Sequence, residues 1–213
     1  MSVRERSLLS VVLAAAAMLT AGCVPATQER SKVDYKQNPN AKQAYRITMT
    51  IKDAPGPFAS MKALAQYDVI NPECLPPPNS NPGGHTSPIP TEDVPIALTK
   101  VADGTYAGTV YADRMLDEDY HGRGVCRWKL IQARVHLAAT DAPGETVFIP
   151  SIGSEKLASE GLEVTYFAKK LYPRNEGLAG MPVIGAEDRS RMNPELEDSD
   201  IFTVTFASHR DVR

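Results

Sequence analysis

The chain has 213 residues and a formal net charge of −3, with 23 Lys and Arg residues against 26 Asp and Glu residues. A mildly acidic chain without a basic cluster is a poor candidate for binding nucleic acid or an anionic membrane surface. A chain of this length can bury one good core, so we expect a single folded domain.

The N-terminus has the parts of a bacterial export signal. Arg4 and Arg6 form a short positive region, and residues 7–19 form a mainly apolar stretch of thirteen residues. This stretch is too short to cross a hydrocarbon core of about 30 Å as a stable helix. It ends in Leu19-Thr20-Ala21-Gly22-Cys23, with small residues at the two positions before the cysteine.

That ending resembles the lipobox of bacterial lipoproteins. The resemblance implies that residues 1–22 are a signal peptide, that Cys23 carries the lipid and that the protein works in the periplasm, attached to a membrane. Val24 follows the cysteine where an aspartate would signal retention at the inner membrane. Analogy with that family therefore favours the outer membrane. The alternative is an ordinary secretory signal, with Cys23 joining a disulfide.

The other two cysteines, Cys74 and Cys126, form an even pair. In an oxidising compartment a disulfide between them is the default expectation. The alternatives are two separate buried thiols or a catalytic cysteine. No histidine stands in a familiar catalytic context near either residue, which argues against catalysis.

Residues 23–42 are polar and lack periodicity, so we predict a flexible tether followed by a domain over residues 43–213. The domain opens with strict alternation, in which Tyr45, Ile47, Met49 and Ile51 share one side. This period of two predicts a strand with one solvated face.

Short β-strand patterns continue along the chain. A strand over 64–70 ends at Asn71-Pro72, and a long proline-rich loop follows over 75–95. Asp103-Gly104 predicts a hairpin turn, and the longest strand, 127–137, places Ile131, Ala133, Val135 and Leu137 on one face. Further strands are predicted at 96–101, 105–112, 146–149, 162–167 and 202–206.

Helical signals are few, with one short turn predicted at 155–160. Seven or eight short strands separated by turn signals predict an all-β fold. We expect a single β-sandwich of immunoglobulin-like or transthyretin-like form, with long loops and one disulfide.

Signatures of catalysis and of nucleotide or phosphate binding are missing from the sequence, including G-x-S-x-G, S-x-x-K, H-E-x-x-H, the phosphate loop and G-x-G-x-x-G. The four histidines are scattered and do not have the spacing of zinc ligands. We therefore predict neither an enzyme, nor a metal site, nor a cofactor.

The densest polar cluster runs over residues 113–124 and contains two glycines. Asp117 and Asp119 offer oxygen ligands for calcium, but the ligand series of an EF-hand is missing. The alternatives are a solvated connecting loop, a partner-binding loop and a metal site. If the loop binds a partner, we expect the contacts to come from the residues Asp117, Glu118, Asp119, Tyr120, His121 and Arg123.

Two stretches, residues 67–77 (YDVINPECLPP) and 117–130 (DEDYHGRGVCRWKL), resemble a group of small secreted or lipid-anchored proteins. Members of that group are often encoded beside interbacterial toxins delivered by type VI or type IV secretion. They are interpreted as periplasmic immunity proteins, several of them for lipase-type toxins. The resemblance implies that Cys74 and Cys126 are a shared disulfide, and it supplies no catalytic residues.

The sequence thus predicts a periplasmic immunity protein that neutralises a secreted toxin through surface loops. Residues 76–90 and 117–123 are the leading candidates for the contact, because an inhibitor needs only a rigid scaffold that displays loops. Two alternatives stay open. One is an assembly lipoprotein of an envelope machine, and the other is a carrier of a small ligand.

Overall fold

The computed structural model describes residues 33–77, 79–81, 84–86, 88–177 and 179–210, with the backbone alone described at 79–81 and 84–86. The predicted signal peptide, Cys23 and the first part of the predicted tether lie outside the described residues. The described chain forms thirteen strands and one short α-helix. In chain order these are β1 (Ala44–Lys52), β2 (Ser60–Val69), β3 (Asn79–Asn81), β4 (Gly84–Thr86), β5 (Thr91–Ile96), β6 (Thr99–Ala102), β7 (Thr105–Tyr111), β8 (Trp128–Ala138), β9 (Val147–Phe148), β10 (Ser151–Gly153), α1 (Ser154–Ala158), β11 (Leu162–Ala168), β12 (Pro182–Val183) and β13 (Ile201–Arg210).

Most strands belong to two sheets that enclose one core, so the predicted β-sandwich is confirmed. The first sheet has the order β11-β13-β1-β7-β6, and the second has the order β12-β9-β8-β2-β5, with β10 also paired to β8. Strands β3 and β4 form a separate two-stranded hairpin. Both sheets contribute to the same cluster of buried side chains, including Met49 and Phe206 from the first and Val135 and Leu137 from the second.

The alternation predicted for β1 matches its burial. Ile47 and Met49 are fully buried, whereas Arg46 and Lys52 are exposed. The strand lies at the centre of the first sheet, between β7 and β13, and both pairings are antiparallel. One face of β1 therefore packs in the core while the other faces solvent.

The chain changes sheets where a single strand was predicted over 96–101. Strand β5 ends at Ile96 in the second sheet, and β6 begins at Thr99 in the first, so only Ala97 and Leu98 make the crossing. Gly108 of β7 lies against this crossing, and a Cβ there would come within 2.9 Å of the Ala97 carbonyl oxygen. The close approach explains a glycine inside a strand.

The predicted inner face of β8 is wrong at one position. Gln66 pairs with Gln132 but Tyr67 pairs with Leu130, so Ile131 is an extra residue in a β-bulge. Leu130 is buried at 3 % exposure, and Ile131 is only half-buried. The bulge shifts the alternation by one residue, which a regular period of two does not reveal.

The segment 75–95, predicted as a loop without structure of its own, contains the β3–β4 hairpin and nearly all of β5. Pro95 is tolerated inside β5 because this strand is an edge, paired on one side only with β2. In the part of the chain that the structure describes, no helix is long and apolar enough to span a bilayer.

Candidate functional site

A disulfide lies at the base of the two segments that were predicted as contact loops, residues 76–90 and 117–123. Cys74 ends a short 3-10 turn (Pro72–Cys74) just before the proline-rich segment 75–95, and Cys126 ends residues 113–126, which we call the acidic segment. The bond is present, with Cα atoms 5.2 Å apart, and both cysteines are buried. With Val69 and Leu75 they form a second, smaller core cluster. The predicted disulfide is confirmed, and it fixes the base of both loops to one place.

Asn71 connects the same segments by its side chain. Its amide group donates a hydrogen bond to the carbonyl oxygen of Val125 at 2.9 Å, and its side-chain oxygen accepts one from the backbone N–H of Arg127 at 2.6 Å. The backbone N–H of Ile70 also donates to the Arg127 carbonyl, and that of Val69 donates to the Pro90 carbonyl. Segments 69–71, 88–90 and 125–127 therefore lie side by side.

Each of these three segments carries one exposed apolar side chain. Ile70 and Ile89 are 54 % exposed, and Val125 is 50 % exposed. We call this region the disulfide end, defined by residues 69–76, 88–90 and 117–127. Clustered exposed apolar residues with charged neighbours are typical of protein-binding surfaces.

The acidic segment is a structured part of this end. The carboxylate of Asp117 accepts a hydrogen bond from the backbone N–H of Trp128 at 2.9 Å. The carboxylate of Asp119 accepts from the backbone N–H groups of His121 at 3.3 Å and Arg123 at 3.0 Å. Both aspartates thus shape the loop through bonds to its backbone.

The electrostatics of Asp119 follow from this geometry. Desolvation acts to raise its pKa, but hydrogen bonds from the backbone N–H groups of residues 121–124 outweigh it and hold the pKa below the usual value. Gly122 and Gly124 have positive φ angles of 67° and 103°, which let the backbone curl around the carboxylate.

The remaining predicted contact residues differ in exposure. Glu118 forms an exposed ion pair with Lys36, with 2.7 Å between Nζ and Oε2, and such a pair contributes little to stability. The hydroxyl of Tyr120 donates to the Leu116 carbonyl, and its ring packs beside the disulfide. His121 is half-buried next to Tyr35, whereas Arg123 is exposed. Arg123 is therefore the predicted residue best placed for a direct contact.

Part of the predicted tether, residues 33–42, lies in the folded unit that begins at Val33. The ring of Tyr35 packs edge-on against Tyr120 at 5.1 Å and Trp128 at 5.0 Å between centroids. We call residues 35–43 the strap. Its backbone is bonded to the acidic segment through Asn38 N–H to the Arg114 carbonyl and Leu116 N–H to the Lys36 carbonyl.

A cleft of ≈ 620 Å³ lies between the strap, β8 and α1. Met115, Trp128 and Leu130 give it an apolar floor, and three carboxylates line it against a single lysine, Lys129. The carboxylates are those of Asp113, Asp117 and Glu155. This charge pattern suits a side chain that is apolar along its length and positive at its tip.

A calcium site at Asp117 and Asp119 was one alternative for the acidic segment. Among the described residues there is no group of three or more His, Cys, Asp or Glu side chains that could hold a metal ion. Three residues that organise the disulfide end, Tyr35, Lys36 and Asn71, were not in the predicted site. Asn71 stands next to a proline and was interpreted only as a turn signal, so its double hydrogen bond has no local signature.

Comparison of the chain with protein-family models, with curated proteins and with solved structures gives no significant match.

Proposed function

We propose that this protein is a lipid-anchored periplasmic protein that binds and neutralises a secreted antibacterial effector through its disulfide end. The observation that carries the proposal is the meeting of the two loop segments at the Cys74–Cys126 bond. An inhibitor gains affinity when its contact surface is held in shape before binding, because less conformational entropy is lost. The disulfide, the Asn71 bridge and the Asp119 hydrogen bonds all supply that rigidity.

The chemistry of the surface suggests how the contact is divided. Ile70, Ile89 and Val125 provide apolar area for the centre of an interface, and Arg123 and Arg127 are exposed beside them. Apolar centres with charged surroundings are the usual anatomy of such contacts. The acidic cleft next to the strap would accept a basic side chain of the partner.

A lipid anchor on Cys23 would limit the distance between this surface and the membrane. Nine residues separate Cys23 from Val33, and an extended chain spans at most about 3.6 Å per residue. If Cys23 is lipidated, Val33 lies within about 36 Å of the membrane surface, and the strap begins two residues later. Because Tyr35 packs on Tyr120, such an anchor would hold the disulfide end near the membrane, where an effector that attacks lipids would act.

The test is protection of cells that export a toxin encoded beside the gene for this protein. Co-export of the full chain should preserve viability, and Val125→Asp should abolish protection by placing a charge in the apolar part of the surface. Leu162→Asp is the matched control, since Leu162 is 62 % exposed on β11, outside the disulfide end. If no neighbouring toxin binds the purified protein, the proposal fails and the envelope-assembly alternative takes its place.

A further inference from the structure

A second concave site lies away from the disulfide end. It is a slot of ≈ 580 Å³ between β5 and β7, on the side where the chain changes sheets. Val94, Ile96 and Val110 form its buried floor, and Val101, Thr109 and Tyr111 form part of its rim. Sites for small molecules typically have about 300–1,000 Å³ and a mainly apolar lining.

The slot exists because neither sheet is completed on this side. Strand β6 pairs only with residues 105–107 of β7, so residues 109–111 of β7 are paired with β1 alone. Strand β5 is likewise paired only with β2. Within the described chain, two strand edges from different sheets therefore border the same opening.

The charge of the slot has one sign. Arg46 and Arg114 are its only charged lining residues. None of the ion pairs found among the described residues involves either arginine. Arg114 is positioned by neutral groups of the strap, since its Nε donates to the Gln37 side chain at 3.1 Å and its Nη1 to the Asn38 carbonyl at 3.4 Å.

Asp113 does not neutralise this pair of arginines, although it precedes Arg114 in the chain. Its carboxylate accepts hydrogen bonds from the backbone N–H groups of Lys42 and Gln43, and it lines the acidic cleft on the other side of the segment. Consecutive residues thus give opposite charges to two separate cavities.

We propose that the slot binds an anionic amphiphile, a carboxylate or phosphate group attached to a short alkyl chain. The two guanidinium groups would hold the anionic head, because planar N–H donors match carboxylate and phosphate oxygens. The apolar floor would take the alkyl chain, removing its methylene groups from water. This site is separate from the disulfide end and does not depend on the proposed inhibitory function.

The experiment is a calorimetric titration of the purified mature chain with decanoate and with decyl phosphate, each below its micellar concentration. Binding of decanoate alone identifies a carboxylate ligand, and binding of decyl phosphate alone identifies a phosphate ligand. Binding of both shows that the slot accepts either anionic head group on an alkyl chain. Decyltrimethylammonium, with the same chain length and a positive head, should not bind. Equal affinity for this cation, or saturable binding of neither anion, overturns the proposal.

Variants locate the site. Arg46→Gln with Arg114→Gln should weaken binding about tenfold or more, because charge-assisted hydrogen bonds to the head are lost. Lys52→Gln, an exposed residue on the same strand as Arg46, should have no effect. An unchanged affinity in the double variant overturns the proposal.

Arg114 also positions the strap, so a second variant leaves it intact. Thr109 lies directly across from Arg46 in the β1–β7 pairing, and Thr109→Glu would place a carboxylate beside the guanidinium. This variant should lose anion binding while its thermal unfolding stays cooperative. Retained binding in Thr109→Glu contradicts the assigned position of the head group.

Discussion

The carboxylate of Asp119 accepts a hydrogen bond from the backbone N–H of Arg123 across 3.0 Å. This contact closes the tip of the acidic segment, and its strength depends on the charge of the carboxylate. Protonation of Asp119 should therefore loosen the tip and leave the sandwich core in place.

The first prediction is an acid titration of this tip. The folded pKa of Asp119 lies below the usual value of 3.8, so the charged carboxylate stabilises the closed tip above that pH. The contribution is lost as the pH falls through the folded pKa. The amide proton shifts of Arg123 and Gly124 should titrate together, with a midpoint below 3.8.

Asp119→Asn should remove this titration, and Asp34→Asn, a change at an exposed residue of the folded unit, should leave it unchanged. A midpoint at or above the usual value would contradict the proposed network of backbone hydrogen bonds.

The second prediction concerns the disulfide. Replacing both Cys74 and Cys126 by Ala should lower the free energy of unfolding by about 2–5 kcal/mol, the usual range for a native bridge of a small secreted domain. The bond closes a segment with a sequence separation of 52. Chemical denaturation measures the loss, and hydrogen exchange should become faster at residues 69–76 and 117–127.

Intact-mass analysis after alkylation without reduction is the direct check of the bond. The folded wild-type protein should show no alkylation at Cys74 or Cys126. Two alkylated thiols at these positions would refute the pairing.

The third prediction tests the strap. Tyr35→Ala removes the ring that contacts Tyr120 and Trp128, and we expect the free energy of unfolding to fall by about 1–3 kcal/mol. Asp34→Ala changes the adjacent exposed residue and should stay within about 0.5 kcal/mol of wild type. Equal stabilities of the two variants would show that strap packing does not stabilise the domain.

The fourth prediction concerns membrane attachment and rests on the Leu19-Thr20-Ala21-Gly22-Cys23 pattern. Cys23→Ser should abolish labelling with radioactive palmitate and release a soluble periplasmic form. A serine variant that is still labelled and sediments with membranes would contradict the lipobox interpretation.

The strands that could be predicted from the sequence are those whose two faces meet different environments. In β1, successive side chains face the core and the solvent in turn, so the apolar residues Ile47 and Met49 alternate with the polar residues Arg46 and Thr48. The turn at Asp103-Gly104 was predictable for a local reason, since Gly104 has a φ of 63° that favours glycine.

Other features depend on partners far away in the chain. Tyr35 meets Tyr120 and Trp128 only in the folded domain, and the polar residues around Tyr35 resemble an unstructured linker. The bulge at Ile131 is likewise set by the pairing of β8 with β2. A single sequence contains no local pattern for either feature, and this is why the strap was predicted as tether.

The candidate site was predictable in part. The residue types of the acidic segment marked it as unusual, but their roles follow from backbone geometry. Asp117 and Asp119 were predicted as contact residues if the loop binds a partner, and the sequence does not indicate that their carboxylates also accept backbone hydrogen bonds. The exposed apolar residue Ile70 directly follows β2, and Val125 lies three residues before β8. A sequence pattern gives no indication that these side chains are exposed.

The pairing of β1 with β13 has a consequence for the order of assembly. These strands are neighbours in the middle of the first sheet, but β1 is the first and β13 the last of the described strands in chain order. Until β13 is available, both β1 and β11 present unpaired edges, which are sites for pairing with other chains. The first sheet therefore closes only after β13 has been synthesised, and loss of β13 would leave an open sheet prone to aggregation.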